Sequence, residues 1–187
     1  MTAGYYNEII MRLFLALLPD EEMITALTDI QNELKRSGVK GRYTDPFNLH
    51  MTLAYIGEYG DTDKVIDVLE ETDFEPFEIT LKETGAFRDL IHCTCEENDD
   101  LNHYVKLLRH RLSENDIPFD SKPFIPHITL VRRADFKPDA LHETAHVSMY
   151  AKRVSLMHSA QGRHGMVYTE LACVYASDED KNEEIWE

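Results

Sequence analysis

An eight-residue pattern that occurs twice constrains the fold of this chain more than any other feature of its sequence. The stretches PFNLHMTL at 46–53 and PFIPHITL at 123–130 share the skeleton Pro-Phe-x-x-His-x-Thr-Leu in a chain of 187 residues. The tripeptide His-x-Thr also occurs at 92–94 and 142–144, so alone it decides nothing. Extended to His-x-Thr-Leu it is expected by chance roughly 0.06 times. Its two occurrences, each after the same Pro-Phe, therefore indicate a duplicated structural unit.

Each copy of the pattern is predicted to be a β-strand. Because successive side chains of a strand point to opposite faces, His50 and Thr52 share one face of the first copy. Met51, Leu53 and Tyr55 are then expected to face the other way. The sequence thus predicts a polar face opposite an apolar one.

The second copy repeats this arrangement, with His127 and Thr129 on one face and Ile128 and Leu130 behind them. If an approximate two-fold axis relates the copies, the two polar faces meet across a groove. One neutral and one protonated imidazole allow acid–base catalysis near neutral pH, and hydroxyl groups donate hydrogen bonds to anionic oxygens. These groups suit a phosphodiester: one His activates water, the other protonates the leaving oxygen, and both Thr hold the non-bridging oxygens.

Composition predicts one globular domain. The chain is 43% hydrophobic, which suffices for a sizeable core, and its net charge of −16 argues against a broad basic surface that follows a long polynucleotide. We predict an N-terminal extension at 1–10, or a natural start at Met11, then one domain at 11–176 and an acidic tail at 177–187.

Hydrophobic periodicity predicts two intertwined α+β lobes in that domain. The predicted elements, in order, are a strand at 12–18, a helix at 19–38, the first motif strand, a helix at 60–71, strands at 77–83 and 90–96 across a turn at Gly85, a helix at 99–116, the second motif strand, and a long hairpin around 161–165.

The cysteines and the apolar segments favour a cytoplasmic location. Cys93, Cys95 and Cys173 are odd in number and are not spaced as in a zinc ribbon, so we expect reduced, buried thiols. No run approaches 18 apolar residues, and the apolar stretch after position 8 has no signal-peptide cleavage site. His92, in a strand beside two cysteines, is expected to be packed rather than catalytic, and Phe14 is expected to pack in the core.

Rival catalytic motifs do not occur. The chain has no H-E-x-x-H or paired C-x-x-C for zinc, no G-x-S-x-G elbow and no phosphate-binding G-x-x-x-x-G-K-[ST] loop. We therefore expect neither a metal nor a cofactor.

Several stretches, in order, resemble one known family. They are RLFLALLP, NLHMTLAYIGE, GAF, FIPHITLVRR and VSLMHSAQGRHGMVYTEL, and together they span roughly residues 11–175. The chain resembles the 2H phosphoesterase superfamily, specifically the RNA 2′,3′-cyclic 3′-phosphodiesterases, also called the 2′-5′ RNA ligase-like family. The resemblance implies a bilobal α+β fold, in which two pseudo-symmetric antiparallel-sheet lobes with outer helices surround a central groove.

The resemblance also implies an activity and its residues. The activity is metal-independent opening of 2′,3′-cyclic phosphate ends of RNA to a 2′-phosphate, with weak reverse 2′-5′ ligation. His50 and His127 match the catalytic histidines, as general acid and general base respectively, and Thr52 and Thr129 match substrate-binding residues. Arg132 matches an arginine that contacts the terminal nucleotide or its phosphate.

Arg132 departs from simple strand alternation, because five residues separate it from His127 and would turn it away from the groove. A bulge or the end of the strand must redirect it, or Arg133 takes its place.

The implied partners are RNA ends or nucleotides that carry a 2′,3′-cyclic phosphate, with no membrane, and we expect a monomer. Two alternatives stay open. The first is a 2H phosphodiesterase for a small cyclic nucleotide or a 2′-5′ oligonucleotide, which the acidic charge favours. The second is a non-catalytic nucleotide-binding module, against which the intact His and Thr of both motifs argue.

Overall fold

The computed structural model of the chain describes residues 9–163 and 165–177. The parts of the predicted N-terminal extension and acidic tail at 1–8 and 178–187 lie outside these residues. The described elements are β1 (Met11–Leu17), α1 (Glu21–Arg36), β2 (Lys40–Tyr43), β3 (Met51–Tyr59), α2 (Thr62–Glu70), β4 (Phe77–Phe87), β5 (Leu90–Cys95), α3 (Asp99–Glu114), β6 (His127–Asp135), β7 (Ser148–Ala151), β8 (Arg153–Gly162) and β9 (Gly165–Tyr175).

The strands form two antiparallel sheets, and each sheet contains one motif strand. The four-stranded sheet has the order β3-β1-β8-β9, and the five-stranded sheet has the order β2-β6-β5-β4-β7. Two helices each pack on the sheet of the other motif. Helix α1, which precedes the first motif, packs against β6 and β7 of the five-stranded sheet, whereas α3, which precedes the second motif, packs against α2 and against β3 of the four-stranded sheet. The predicted α+β fold with two intertwined lobes is confirmed.

Local sequence explains where the helices begin and end. The side chains of Asp20, Asp61 and Asn98 each accept a hydrogen bond from a backbone N–H in the first turn of α1, α2 and α3, respectively. Beyond the end of α1, Gly38 has a φ of +85°, a conformation that glycine adopts without a steric penalty. The apolar face of α1 is buried, as the periodicity predicted.

The predicted turn at Gly85 is wrong. Gly85 lies inside β4 and pairs with His92 of β5, and the chain reverses at Arg88, which has a φ of +56°. A Cβ atom on Gly85 would lie 2.9 Å from Nε2 of His92. Gly85 is therefore required for a close approach of an imidazole within the sheet rather than for a turn.

The cysteines agree in part with the prediction of reduced, buried thiols. The three cysteines are unpaired; Cys93 and Cys95 are buried, whereas Cys173 is half-buried rather than buried. In the part of the chain that the structure describes, every helix is too short or too polar to cross a membrane.

Candidate active site

The two motif histidines are held by the same local hydrogen bond. Nδ1 of His50 lies 2.7 Å from the carbonyl oxygen of Asn48, and Nδ1 of His127 lies 2.7 Å from the carbonyl oxygen of Ile125. Because a carbonyl oxygen only accepts, Nδ1 must carry the proton in each bond. Nε2 is therefore the atom of each imidazole that is available to take up or release a proton.

The two motif strands come together at one cavity. Residues of β3 and β6 approach within 8 Å between Cα atoms, and Thr52 and His127 line the same cavity of ≈ 430 Å³. Thr129 of β6 is half-buried and pairs in register with His92. The structure thus brings the Thr52 hydroxyl of the first motif and the His127 imidazole of the second to the same cavity.

His50 is surrounded by aromatic side chains. The ring centroid of Phe14 lies 4.9 Å from that of His50, and Tyr168 approaches edge-on at 5.1 Å. Burial lowers the pKa of His50, and the nearby positive charges of Arg132 and His127 lower it further, against the hydrogen bond to Asn48. Phe14 is 3% exposed, so the prediction that it packs in the core is confirmed, although it packs directly on a motif histidine.

His127 contacts a second imidazole. His92 is 3% exposed, stacks on Phe87 at 4.1 Å between centroids, and meets the ring of His127 nearly at right angles at 5.3 Å. Burial, together with the charge of His127, lowers the pKa of His92 to about 4. The expectation that His92 is packed is confirmed. Sequence reasoning missed what it packs against, although His92-x-Thr94 is itself a His-x-Thr tripeptide.

A β-bulge follows the threonine of each motif. In β3 the register shifts so that Leu53 is the extra residue, and in β6 the extra residue is Leu130. Each is followed by a second fully buried side chain, Ala54 or Val131. Two successive residues therefore face the core, and the alternation of the strand is reversed beyond the bulge.

The bulges decide where the residue five positions after each histidine points. The prediction that Tyr55 faces away from Thr52 is wrong: Tyr55 is 42% exposed and lines the cavity together with Thr52. By the same shift Arg132 is exposed, and it lies close enough for its charge to lower the pKa of His50. The bulge that Arg132 required is thus present. The following Arg133 has a φ of +52°.

Neighbouring elements stabilise both bulges. The carbonyl oxygen of Leu130 accepts from Nε2 of Gln31 in α1 at 3.0 Å, and that of Leu53 accepts from Nε of Arg109 in α3 at 2.9 Å. A Cβ atom on Gly41 of β2 would lie 2.7 Å from the side chain of Val131, so this strand approaches the second bulge closely. Each motif strand is thus supported by the helix that precedes the other motif.

Among the described residues, no group of three or more His, Cys, Asp or Glu side chains is arranged to bind a metal ion. The polar groups that the two motifs and Arg132 supply are imidazoles, hydroxyls and a guanidinium group.

Comparison with known proteins identifies the family. A family model described as the 2′-5′ RNA ligase superfamily matches residues 18–163. The RNA 2′,3′-cyclic phosphodiesterase of Thermotoga maritima is 30% identical over 139 residues, which are 69% of this chain and 73% of the relative. A protein of the same name from Methanothermobacter thermautotrophicus is 26% identical over 181 residues, which are 86% of this chain and 96% of the relative.

Solved structures have the same fold. Escherichia coli LigT complexed with 3′-AMP matches with a TM-score of 0.78 and 22% identity over 90% of this chain and 99% of LigT. A Thermus thermophilus protein matches with a TM-score of 0.78 and 26% identity over 90% of this chain and 100% of its own. Since the family model spans both motifs and most of the described residues, this chain belongs to the 2′-5′ RNA ligase superfamily.

Proposed function

We propose that this protein is an RNA 2′,3′-cyclic phosphodiesterase, a hydrolase that opens 2′,3′-cyclic phosphate ends to a 2′-phosphate. Its curated relatives from Thermotoga maritima and Methanothermobacter thermautotrophicus carry that name. The observation that carries the proposal is the pair of imidazoles with Nδ1 bound to a carbonyl, His50 and His127, which leaves Nε2 of each for proton transfer.

In the proposed reaction, the oxygen of a water molecule attacks phosphorus while the bond from phosphorus to O3′ breaks. Nε2 of His127 takes a proton from the water, and Nε2 of His50 gives a proton to O3′. The ring opens with the phosphate left on O2′, and the two imidazoles end with exchanged protonation states. The hydroxyls of Thr52 and Thr129 and the guanidinium of Arg132 hold the non-bridging oxygens, where negative charge develops.

The assignment of His50 as acid rests on the family resemblance, because the two motifs are nearly identical. Burial works against it in the free protein, since the lowered pKa of His50 favours the neutral imidazole. The anionic cyclic phosphate supplies a compensating negative charge, which favours the protonated form once substrate is bound. Substrate binding is thus proposed to place the proton on His50.

Side chains fill the acid, base and anion-stabilising roles, so we propose that the reaction needs no metal and no cofactor. The same groups would also catalyse a weak 2′-5′ ligation, in which a 5′-hydroxyl of RNA takes the place of water. Activity that disappears on chelation and returns with zinc or manganese would contradict this part of the proposal.

A second candidate is a 2H phosphodiesterase for a small cyclic nucleotide or a 2′-5′ oligonucleotide. The net charge of −16 favours it, because a long polyanion is repelled by an acidic protein. The third hypothesis, a non-catalytic nucleotide-binding module, is disfavoured because both motifs contain His and Thr.

The experiment incubates the protein, with EDTA present, with mononucleotides and RNA oligonucleotides that end in a 2′,3′-cyclic phosphate, and identifies the phosphate position in the product. We expect a 2′-phosphate from the unmodified protein and from His103→Ala, a control on the exposed face of α3. His50→Ala and His127→Ala should each lose roughly 10²- to 10⁴-fold. A 3′-phosphate product, or turnover of 2′-5′ oligonucleotides alone, would refute the proposed substrate.

A further inference from the structure

A second cavity adjoins the one at the motif residues. It has a volume of ≈ 490 Å³ and lies along α3. Arg109 and Phe124 line both cavities, so these two side chains form their common boundary. The two cavities therefore lie side by side, with Arg109 and Phe124 between them.

The two cavities are basic, although the protein is acidic. Their linings carry the positive charges of Lys106, Arg109 and Lys122, against a net charge of −16 for the whole chain. Among the residues that the structure describes, Asp120 is the one acidic side chain that lines either cavity. A third cavity, at the other end of α3, is instead lined by three acidic residues, Asp73, Glu75 and Asp100.

Ion pairs neutralise only part of this positive charge. Nζ of Lys122 lies 2.9 Å from a carboxylate oxygen of Asp120, and Nε2 of His110 lies 3.4 Å from a carboxylate oxygen of Glu114, the last residue of α3. Lys106 is exposed on the face of α3 that lines the second cavity. An exposed ion pair is weak, so a phosphate can compete with Asp120 for the ammonium group of Lys122.

The common boundary is rigid and partly aromatic. Arg109 donates to the carbonyl oxygens of Leu53 and Lys122, at 2.9 and 2.8 Å. Its guanidinium carbon lies 5.8 Å from the ring centroid of Phe119 and 5.6 Å from that of Phe124. A fixed cation with half-buried aromatic rings beside it offers both charge for a phosphate and ring faces for bases.

We infer that the second cavity binds the nucleotides on the 5′ side of the cyclic end, so that the preferred substrate is single-stranded RNA several nucleotides long. This inference rests on the proposed function, because it takes the cyclic phosphate to lie at His127 and Thr52. The preceding phosphates bind along Lys106 and Lys122, and bases contact Phe119 and Phe124. We call Lys106 and Lys122 the basic path; their local positive charge explains how an acidic protein binds a polyanion.

The test compares kcat/KM for a 2′,3′-cyclic mononucleotide with that for oligonucleotides of increasing length that end in the same cyclic nucleotide. We expect kcat/KM to rise over the first few added nucleotides. Lys106→Ala should lower it about 3- to 10-fold for the oligonucleotides and leave the mononucleotide within about twofold. The salt dependence of log(kcat/KM) for the oligonucleotides should become shallower by about 0.7 for one lost phosphate contact.

The control is Lys152→Ala, which removes the same charge from an exposed residue between β7 and β8 that lines neither cavity. This variant should leave kcat/KM unchanged for both the mononucleotide and the oligonucleotides. Values of kcat/KM that do not depend on length, or equal effects of Lys106→Ala and Lys152→Ala, would overturn the inference.

A binding measurement separates this inference from the proposed function. If the unmodified protein hydrolyses no cyclic phosphate, the proposed function fails. RNA binding at the second cavity is then tested on its own, by fluorescence anisotropy with a labelled single-stranded oligonucleotide that ends in a 3′-phosphate. Weaker binding by Lys106→Glu than by Lys152→Glu supports the basic path. Equal binding by these two variants, or tighter binding of a duplex, overturns it.

Discussion

The two motifs share their local geometry at the histidine and the threonine, but their surroundings differ. Each has a histidine whose Nδ1 is bound to a carbonyl two residues earlier, and a bulge directly after its threonine. The Pro-Phe pairs before them differ: Pro46 begins a 3-10 turn that leaves Phe47 96% exposed, whereas Phe124 is half-buried beside Arg109. The two copies thus share the geometry of their histidines and differ in the side chains around them.

This divergence gives the two imidazoles different environments. His50 lies between Phe14 and Tyr168, and burial lowers its pKa. His127 borders the open cavity and contacts Phe87 and His92. A difference in role between the two histidines must come from these surroundings, because the nearly identical motifs supply the same imidazole and hydroxyl groups.

The largest expected effect separates the roles of the two histidines. On a cyclic phosphate, His50→Ala and His127→Ala should each lose roughly 10²- to 10⁴-fold in turnover. With a nitrophenyl phosphodiester, whose leaving group needs no proton, the His50 variant should recover most of its rate because only its acid role is lost. Steady-state kinetics with both substrates measures this. Recovery of the His127 variant alone would reverse the assignment.

The next effect concerns the two side chains that stabilise the bulges. Arg109→Met removes the side-chain donor to the Leu53 carbonyl and should cost about 2 kcal/mol of the free energy of unfolding. Gln31→Leu should cost less, about 1 kcal/mol, because the Leu130 carbonyl still accepts from the N–H of Thr44 at 2.8 Å. Urea unfolding measures both.

Arg111→Met is the matched control for Arg109→Met, since Arg111 lies on the same helix. Its Nη1 atom forms a surface ion pair with Oε2 of Glu71 at 3.9 Å. It should change the free energy of unfolding by less than about 0.5 kcal/mol. If Arg109→Met is no more destabilising than Arg111→Met, the two bulges are not supported in the way described.

The buried imidazole beside His127 predicts a pH dependence of stability. The pKa of His92 is about 4 in the folded protein and near 6.5 when unfolded, so the unfolded state binds more protons between these values. Stability is thus retained above about pH 6.5 and lost as the pH falls towards 4. His92→Leu should reduce this loss by about 2 kcal/mol, measured by urea unfolding at pH 7 and pH 4.5. An unchanged loss would show that His92 is not the group responsible.

A smaller effect distinguishes the two consecutive arginines after the second bulge. Arg132→Ala should lower kcat/KM about 10-fold, because the bulge turns Arg132 to the side of His50, where we propose that the phosphate binds. Arg133→Ala is the matched control and should stay within about twofold. A larger loss for Arg133 than for Arg132 would mean that the reversed alternation does not position the substrate-binding cation.

Periodicity predicted most elements of this fold and the residues of both motifs. Apolar spacing identified the faces of α1 and α3, and the repeated pattern identified β3 and β6. The four-residue strand β2 was missed, because its largely exposed residues show no apolar alternation.

The errors at the site have physical causes. The prediction that Tyr55 faces away from Thr52 assumed strict alternation of side chains. A bulge at Leu53 breaks that alternation, and the residue types in the strand do not reveal it. Gly85 was predicted to form a turn, because glycine occurs both in turns and where another group packs closely against the backbone, and the sequence does not distinguish these uses. The contacts of His50 with Phe14 and Tyr168, and the shared boundary of the two cavities, join residues far apart in sequence, so no local pattern could reveal them.

The central claim is that His50 and His127 act on one phosphate in one transition state, and a double-mutant cycle tests it most directly. Turnover of a 2′,3′-cyclic phosphate is measured for the two single alanine variants and for the double variant. If both imidazoles act in one step, the double variant should be little slower than the slower single variant. Losses that multiply across the cycle, or near-normal turnover in either single variant, would contradict the paired-histidine mechanism.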